Sequence, residues 1–163
     1  MKKIPENKTR KGLRITLCIL YLLQLVLCAW PYYGYVKDGV FITDSVYEML
    51  SALGSGNVIG ATSEEFSAIT TMLPFNLIFV IIPLVGFFFC AFDKERNLKN
   101  IVSLLCCLFG VLSIVTIVTM QFLSLGSVLA LLLYILTSFI SSLSMMARIT
   151  SDKQNDAENK INR

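Results

Sequence analysis

The sequence predicts an all-α integral membrane protein. Its expected architecture is an antiparallel four-helix transmembrane bundle with a small extracytoplasmic loop, which holds a short strand-like piece and a short amphipathic helix. Three observations lead there. First, 55% of the 163 residues are hydrophobic and only 15% are charged, whereas a soluble domain of this size carries about 25% charge. Second, Lys and Arg gather at 2–14, 94–99 and 148–163, and the tracts between them are too long for ordinary core helices. Third, an even number of crossings puts all three basic groups on one side, as the positive-inside rule requires.

A span needs about 20 mostly apolar residues to cross roughly 30 Å of hydrocarbon. A basic tail, 1–14, comes first. The opening span is expected over 15–35, "ITLCILYLLQLVLCAWPYYGY". Its apolar run is longer than the 7–15 residues of a signal-peptide core, and Trp30-Pro31-Tyr32 is a poor cleavage site, so the helix is expected to be retained. An outer loop over 36–66 leads to a second span over 67–92. A charged inner loop, 93–100, follows. The next tract, 101–147, carries no formal charge. As one helix it would extend about 70 Å, enough for two crossings. A turn near Gln121–Ser127 divides it into spans over 101–120 and 126–147. The last segment, 148–163, is expected to be a largely disordered cytoplasmic tail.

With four spans, 13 of the 14 basic residues share one side and only Lys37 lies opposite. The outer loop instead carries Asp38, Asp44, Glu48, Glu64 and Glu65. Both termini are therefore expected in the cytoplasm of a cell membrane, and the Lys- and Asn-rich ends point to a bacterium. The basic side faces anionic head groups. The surplus of +3 is too small to argue for nucleic acid.

Within the outer loop, "KDG" is a turn signal before the strand-like "GVFIT". Ser45 and Glu48 are spaced as a capping box. Val46, Met49, Leu50 and Leu53 then follow helical spacing and share one face, which reads as a lid on the bundle or a docking helix for a partner. A second capping box, Thr62 with Glu65, precedes the second span. Pro74 and Pro83 would kink that span. Trp30, Tyr32, Tyr33 and Tyr35 are expected as anchors at the outer interface, where a ring stays apolar while its polar tip meets water.

The centre of every span lacks His, Asp, Glu, Lys and Arg. Intramembrane ionisable residues mark proton relays and ion pathways, so coupled transport and intramembrane metalloproteolysis are disfavoured. No catalytic, cofactor-binding or metal-ligating residues are expected. Gln24 and Asn76 are expected near mid-depth, bonded to each other across helices or lining a polar path. Ser103, Cys107, Gly110 and Ser113 form a small-residue stripe. Gly126 with Ala130, and Thr137 with Ser141, make small pairs that let backbones approach closely. These faces suit packing within the bundle, a second membrane protein or a second copy. The five cysteines lack C-x-x-C spacing and are expected to act as small apolar residues. The outer cysteine pairs of disulfide-forming quinone reductases are missing, as are the claudin Trp and Cys signature and the membrane glutamate of small multidrug exporters. The leading expectation is a non-enzymatic accessory or assembly subunit. The second is an oligomeric pore or uncoupled transporter.

Overall fold

The computed structural model describes residues 8–37, 39–55, 73–93, 97–118 and 123–161. It is mostly helical. Helix α1 spans Lys8–Leu27, and a hairpin follows, β1 Tyr33–Lys37 and β2 Val40–Asp44. Helix α2 covers Val46–Ser55. A 3₁₀ turn at Leu73–Asn76 opens α3, Leu77–Phe92. Helix α4 covers Leu98–Ser113 and ends in a π turn at Ile114–Val118; α5 runs over Leu125–Ile161. Two helical stretches, Leu98–Val118 and Leu125–Lys153, are long and apolar enough to cross a membrane.

The four long helices pack as a closed ring, α1 on α3, α3 on α4, α4 on α5 and α5 back on α1. Neighbours run antiparallel. Near one end Arg14 Nη1 donates to the Ala91 carbonyl at 3.2 Å, and near the other the Cys28 thiol lies 3.5 Å from the Phe79 carbonyl. Two glycines permit the closest approaches. A Cβ on Gly86 of α3 would lie 2.3 Å from the Tyr21 ring of α1. A Cβ on Gly110 of α4 would lie 2.3 Å from the Tyr134 ring of α5. Each tyrosine fills the notch its glycine leaves.

The outer cap forms for local reasons. The two-stranded ladder pairs Tyr33 with Asp44 and Lys37 with Val40, and Gly39 closes the turn at φ +78°, a left-handed conformation that suits glycine. The expected capping box is present at the start of α2. The Ser45 N–H donates to Glu48 Oε2 at 2.7 Å, and the Glu48 N–H donates to the Ser45 hydroxyl at 3.2 Å. Backbone bonds then fasten the cap to the ring. The Val46 N–H donates to the Cys28 carbonyl at 3.0 Å, and the Gly126 N–H donates to the Pro31 carbonyl at 2.8 Å.

Four expectations are corrected. The first helix stops at Leu27, and Tyr33–Lys37 is a strand rather than the last turn of a span. Pro31 has no N–H to continue a helix, and the β-prone aromatics beyond it find a partner in β2. The turn expected over Gln121–Ser127 ends earlier, because α5 begins at Leu125. The helix before the inner loop ends at Phe92 as expected, but the next begins at Leu98, ahead of residue 101. The tail beyond residue 148 is not shapeless. Helix α5 continues to Ile161, since extending an existing helix costs far less than nucleating one. The Thr62 and Glu65 capping box, residues 67–72, and the side chains of Leu53, Tyr35 and Pro74 lie outside the described residues.

Gly86→Ala is expected to cost about 1–3 kcal/mol through overpacking. Tyr21→Phe, which keeps the ring and loses the hydroxyl, should cost about 0.6 kcal/mol. Thermal unfolding in detergent ranks the two, and a Gly86→Ala protein as stable as the parent would refute the notch contact. The capping box carries a pH dependence of its own. The Ser45 backbone N–H, and then its hydroxyl, hold the Glu48 carboxyl below its ordinary value of 4.5. Because the folded value is the lower one, the contribution is present above pH 4.5 and is lost as pH falls through the folded value. The Ser45 amide resonance should titrate in that range and should not do so in Glu48→Gln.

Candidate functional site

Polar side chains line the inside of the helix ring in three layers. The innermost is a hydroxyl chain across three helices. The Tyr21 hydroxyl of α1 lies 2.7 Å from Ser103 Oγ of α4, and Ser103 Oγ lies 2.6 Å from Ser141 Oγ of α5. Tyr21, Ser103 and Ser141 are all fully buried. In the middle layer Gln24 Nε2 donates to Thr137 Oγ1 at 3.4 Å, and Thr137 Oγ1 donates to the Leu133 carbonyl at 2.6 Å. Gln24 Oε1 has no hydrogen-bond partner, although the residue is only 2% exposed. In the outer layer the Tyr33 hydroxyl donates to Asn76 Oδ1, joining the hairpin to the start of α3.

Gln24 and Asn76 therefore do not meet. Asn76 sits at the first turn of α3, beneath the hairpin, because the α-helix begins at Leu77. An assignment to mid-depth requires a regular helix from residue 67, which the described residues do not extend to.

The opening aromatic cluster divides. Trp30 is 52% exposed. Tyr32 and Tyr33 are buried instead, at 2% and 8%. Their rings pack on Phe79, with centroids 5.1 and 6.5 Å away. Around them lie Val46, Met49, Ile114 and Val118. On the apolar face of α2, Val46 and Met49 are buried, and Leu50 packs against the same cluster.

The small-residue faces are also spent internally. Ser103, Cys107, Gly110, Gly126 and Ala130 are all buried. A Cβ on Gly126 would lie 2.4 Å from the Pro31 carbonyl. Ser113 is partly exposed, and its hydroxyl bonds to its own helix at the Phe109 carbonyl, 2.7 Å away.

Cys28 has a role that its residue type did not announce. Pro83 lies inside α3 and cannot donate to the carbonyl four residues back, which belongs to Phe79. The Cys28 thiol lies 3.5 Å from that carbonyl and 3.4 Å from the Gln24 carbonyl. Tyr21 and Tyr134 were likewise missed as organisers. Their polar tips in the middle of apolar runs were the available signal.

Within the three layers, hydroxyls, the amides of Gln24 and Asn76 and the Cys28 thiol furnish hydrogen bonding. Among the described residues no three His, Cys, Asp or Glu side chains are placed to hold a metal ion. Outside the ring, α3 and α4 leave an open apolar groove of about 400 Å³ between Ile81, Val85, Leu105 and Phe109. No family model, curated protein or solved structure matches the chain.

The layers have separate partners, so their energies should add. Tyr33→Phe and Asn76→Leu are expected to be coupled, with the double variant little worse than the worse single one. Gln24→Leu should add to either independently. A double-mutant cycle on thermal stability measures both, and strong coupling between Gln24 and Asn76 would contradict the layering.

Proposed function

We propose that the chain is a four-span membrane protein with both termini cytoplasmic, and that it acts without chemistry of its own, as an accessory or assembly subunit. The observation that carries the membrane reading is its polarity. Ser103, Ser127, Thr137, Ser141 and Gln24 are buried, while Ile19, Ile81, Leu108 and Ile135 stand out on the four long helices, each near or above 50% exposed. A soluble bundle would place these sets the other way round. Outward hydroxyls fit the same setting. Thr16, Ser113 and Thr116 each bond to a carbonyl four residues back on their own helix, which satisfies them where water is absent.

The accessory reading is supported by what the fold leaves over. Tyr21, Tyr134 and Tyr32 fill the space inside the ring, and the lid packs over its outer mouth. An oligomeric pore would need outward faces with free polar groups, whereas the outward hydroxyls of Thr16, Ser113 and Thr116 are bonded to their own helices and Gln24, Ser103, Thr137 and Ser141 are buried. Among the described residues, apolar features open to a partner include the hairpin tip, with Val40 and Phe41 at 62% and 63% exposed, and the groove between α3 and α4.

Topology is tested by labelling single cysteines with a membrane-impermeant maleimide. Val40→Cys should react in intact cells and Lys11→Cys only after permeabilisation; the same pattern for both would sink the four-span assignment. For the partner, Val40→Asp should abolish recovery of a stoichiometric companion from native membranes while shifting stability by less than about 0.5 kcal/mol. A lone chain recovered from the parent membrane would favour the pore.

A further inference from the structure

We propose that the inner mouth of the helix ring binds a phosphate-bearing anion. Three cations near this end of three helices are nearly inaccessible: Arg10 of α1, Lys99 of α4 and Arg148 of α5 are 2%, 1% and 8% exposed. Basic side chains at a membrane surface ordinarily extend their heads toward water or lipid head groups. These do the opposite. Measured from the Ser103–Ser141 contact, Lys99 lies one helical turn further in, about 6 Å, and Arg148 about 10 Å. Arg14 is about as far from Tyr21 as Arg148 is from Ser141, and Arg10 is one turn beyond it.

Among the residues whose side chains are described at this end, the carboxylates are Asp93 and Asp152, against Arg10, Arg14, Lys99 and Arg148 and the exposed Lys8, Lys11 and Lys153. Asp93 also spends Oδ2 on the Lys99 backbone N–H, at 2.8 Å. The charged groups have protein partners as well, so the inference rests on the sign of the sum and not on any idle group. Over the whole sequence the segments on this side hold thirteen basic and six acidic residues. Concentrated positive charge out of water is costly unless an anion shares it.

The donors select the anion. Two guanidinium groups on different helices present planar forks, and Lys99 adds a compact point charge, a set that suits the several oxygens of a phosphate. Ser144, 2% exposed, lies one turn from Arg148 on α5 and supplies a hydroxyl. The N-terminal end of α4 adds the positive end of its dipole. A phosphate can come from an inner-leaflet head group or from solution.

The test uses the full chain, purified in detergent and free of lipid. One arm titrates inorganic phosphate against chloride at equal ionic strength. The other reconstitutes the chain in phosphatidylglycerol or in phosphatidylcholine nanodiscs. Thermal stability and native mass are read in both. We expect a saturable rise in Tm in at least one arm, and a bound phosphate or one retained phosphatidylglycerol per chain. Arg148→Gln should weaken that binding at least tenfold, and Lys153→Gln, an exposed neighbour on the same helix, should not. If Arg148→Gln fails to fold, Arg148→Lys and Arg10→Lys keep the charge and lose the fork, and should still weaken binding. A response to phosphate alone assigns a soluble anion, and one to phosphatidylglycerol alone assigns a head group. No saturable response in either arm overturns the proposal, as does equal weakening by Lys153→Gln.

Discussion

The rest of the structure depends on the ring of Tyr21. It lies in the notch at Gly86 on α3, and its hydroxyl reaches Ser103 on α4, which touches Ser141 on α5. One side chain of α1 thereby sets the distance to one neighbour and the height of the other two. In the proposed bilayer setting this matters more than it would in water. Hydrocarbon outside the bundle is as apolar as Leu, so burying Leu between helices gains little, and close packing with a few hydrogen bonds must hold them together. Tyr134 against Gly110 repeats the device between α4 and α5. The large apolar residues, which would make the core of a soluble bundle, are left on the outside.

The outer cap follows from a second constraint, that a backbone polar group away from water needs a partner. The chain leaves α1 at Leu27, and the freed groups are taken in turn. The Cys28 carbonyl receives the Val46 N–H, and the Pro31 carbonyl receives that of Gly126. The carbonyl that Pro83 strands at Phe79 faces the Cys28 thiol. The hairpin and α2 are therefore joined to α1, α3 and α5 by specific bonds. They form the roof of the bundle and not an appended loop.

What was legible in the sequence was local or counted. The "KDG" turn, the Ser45 and Glu48 box and the stop at Phe92 each depend on residues a few positions apart, and the structure has them. What was not legible was long-range. Nothing near Gln24 indicates that Thr137, 113 positions later, is its partner, or that Tyr33 claims Asn76. The small-residue faces had the right chemistry, but spacing alone cannot tell a contact within a chain from one between chains. Tyr32 and Tyr33 read as surface anchors because aromatics beside a proline at the end of an apolar run usually are. A hairpin folded back over the mouth turned them inward. Trp30, just before the proline, kept the exposed role.

The two ends of the bundle are thereby different in kind. The outer end is closed by rings and aliphatic side chains, Tyr32, Phe79, Val46 and Ile114, all nearly inaccessible. The other end holds buried cations, Arg10, Lys99 and Arg148. A polar solute entering from the outer side would have to displace a packed lid. One arriving from the inner side meets Arg148 and Lys99 first, then the Tyr21 hydroxyl chain, then the unpaired Gln24 carbonyl. In the proposed bilayer setting, recognition of apolar surface falls to the cap and to the groove between α3 and α4, and recognition of charge to the end that holds Arg148 and Lys99. Among the described residues, the four helices, held together at Tyr21, connect the two ends.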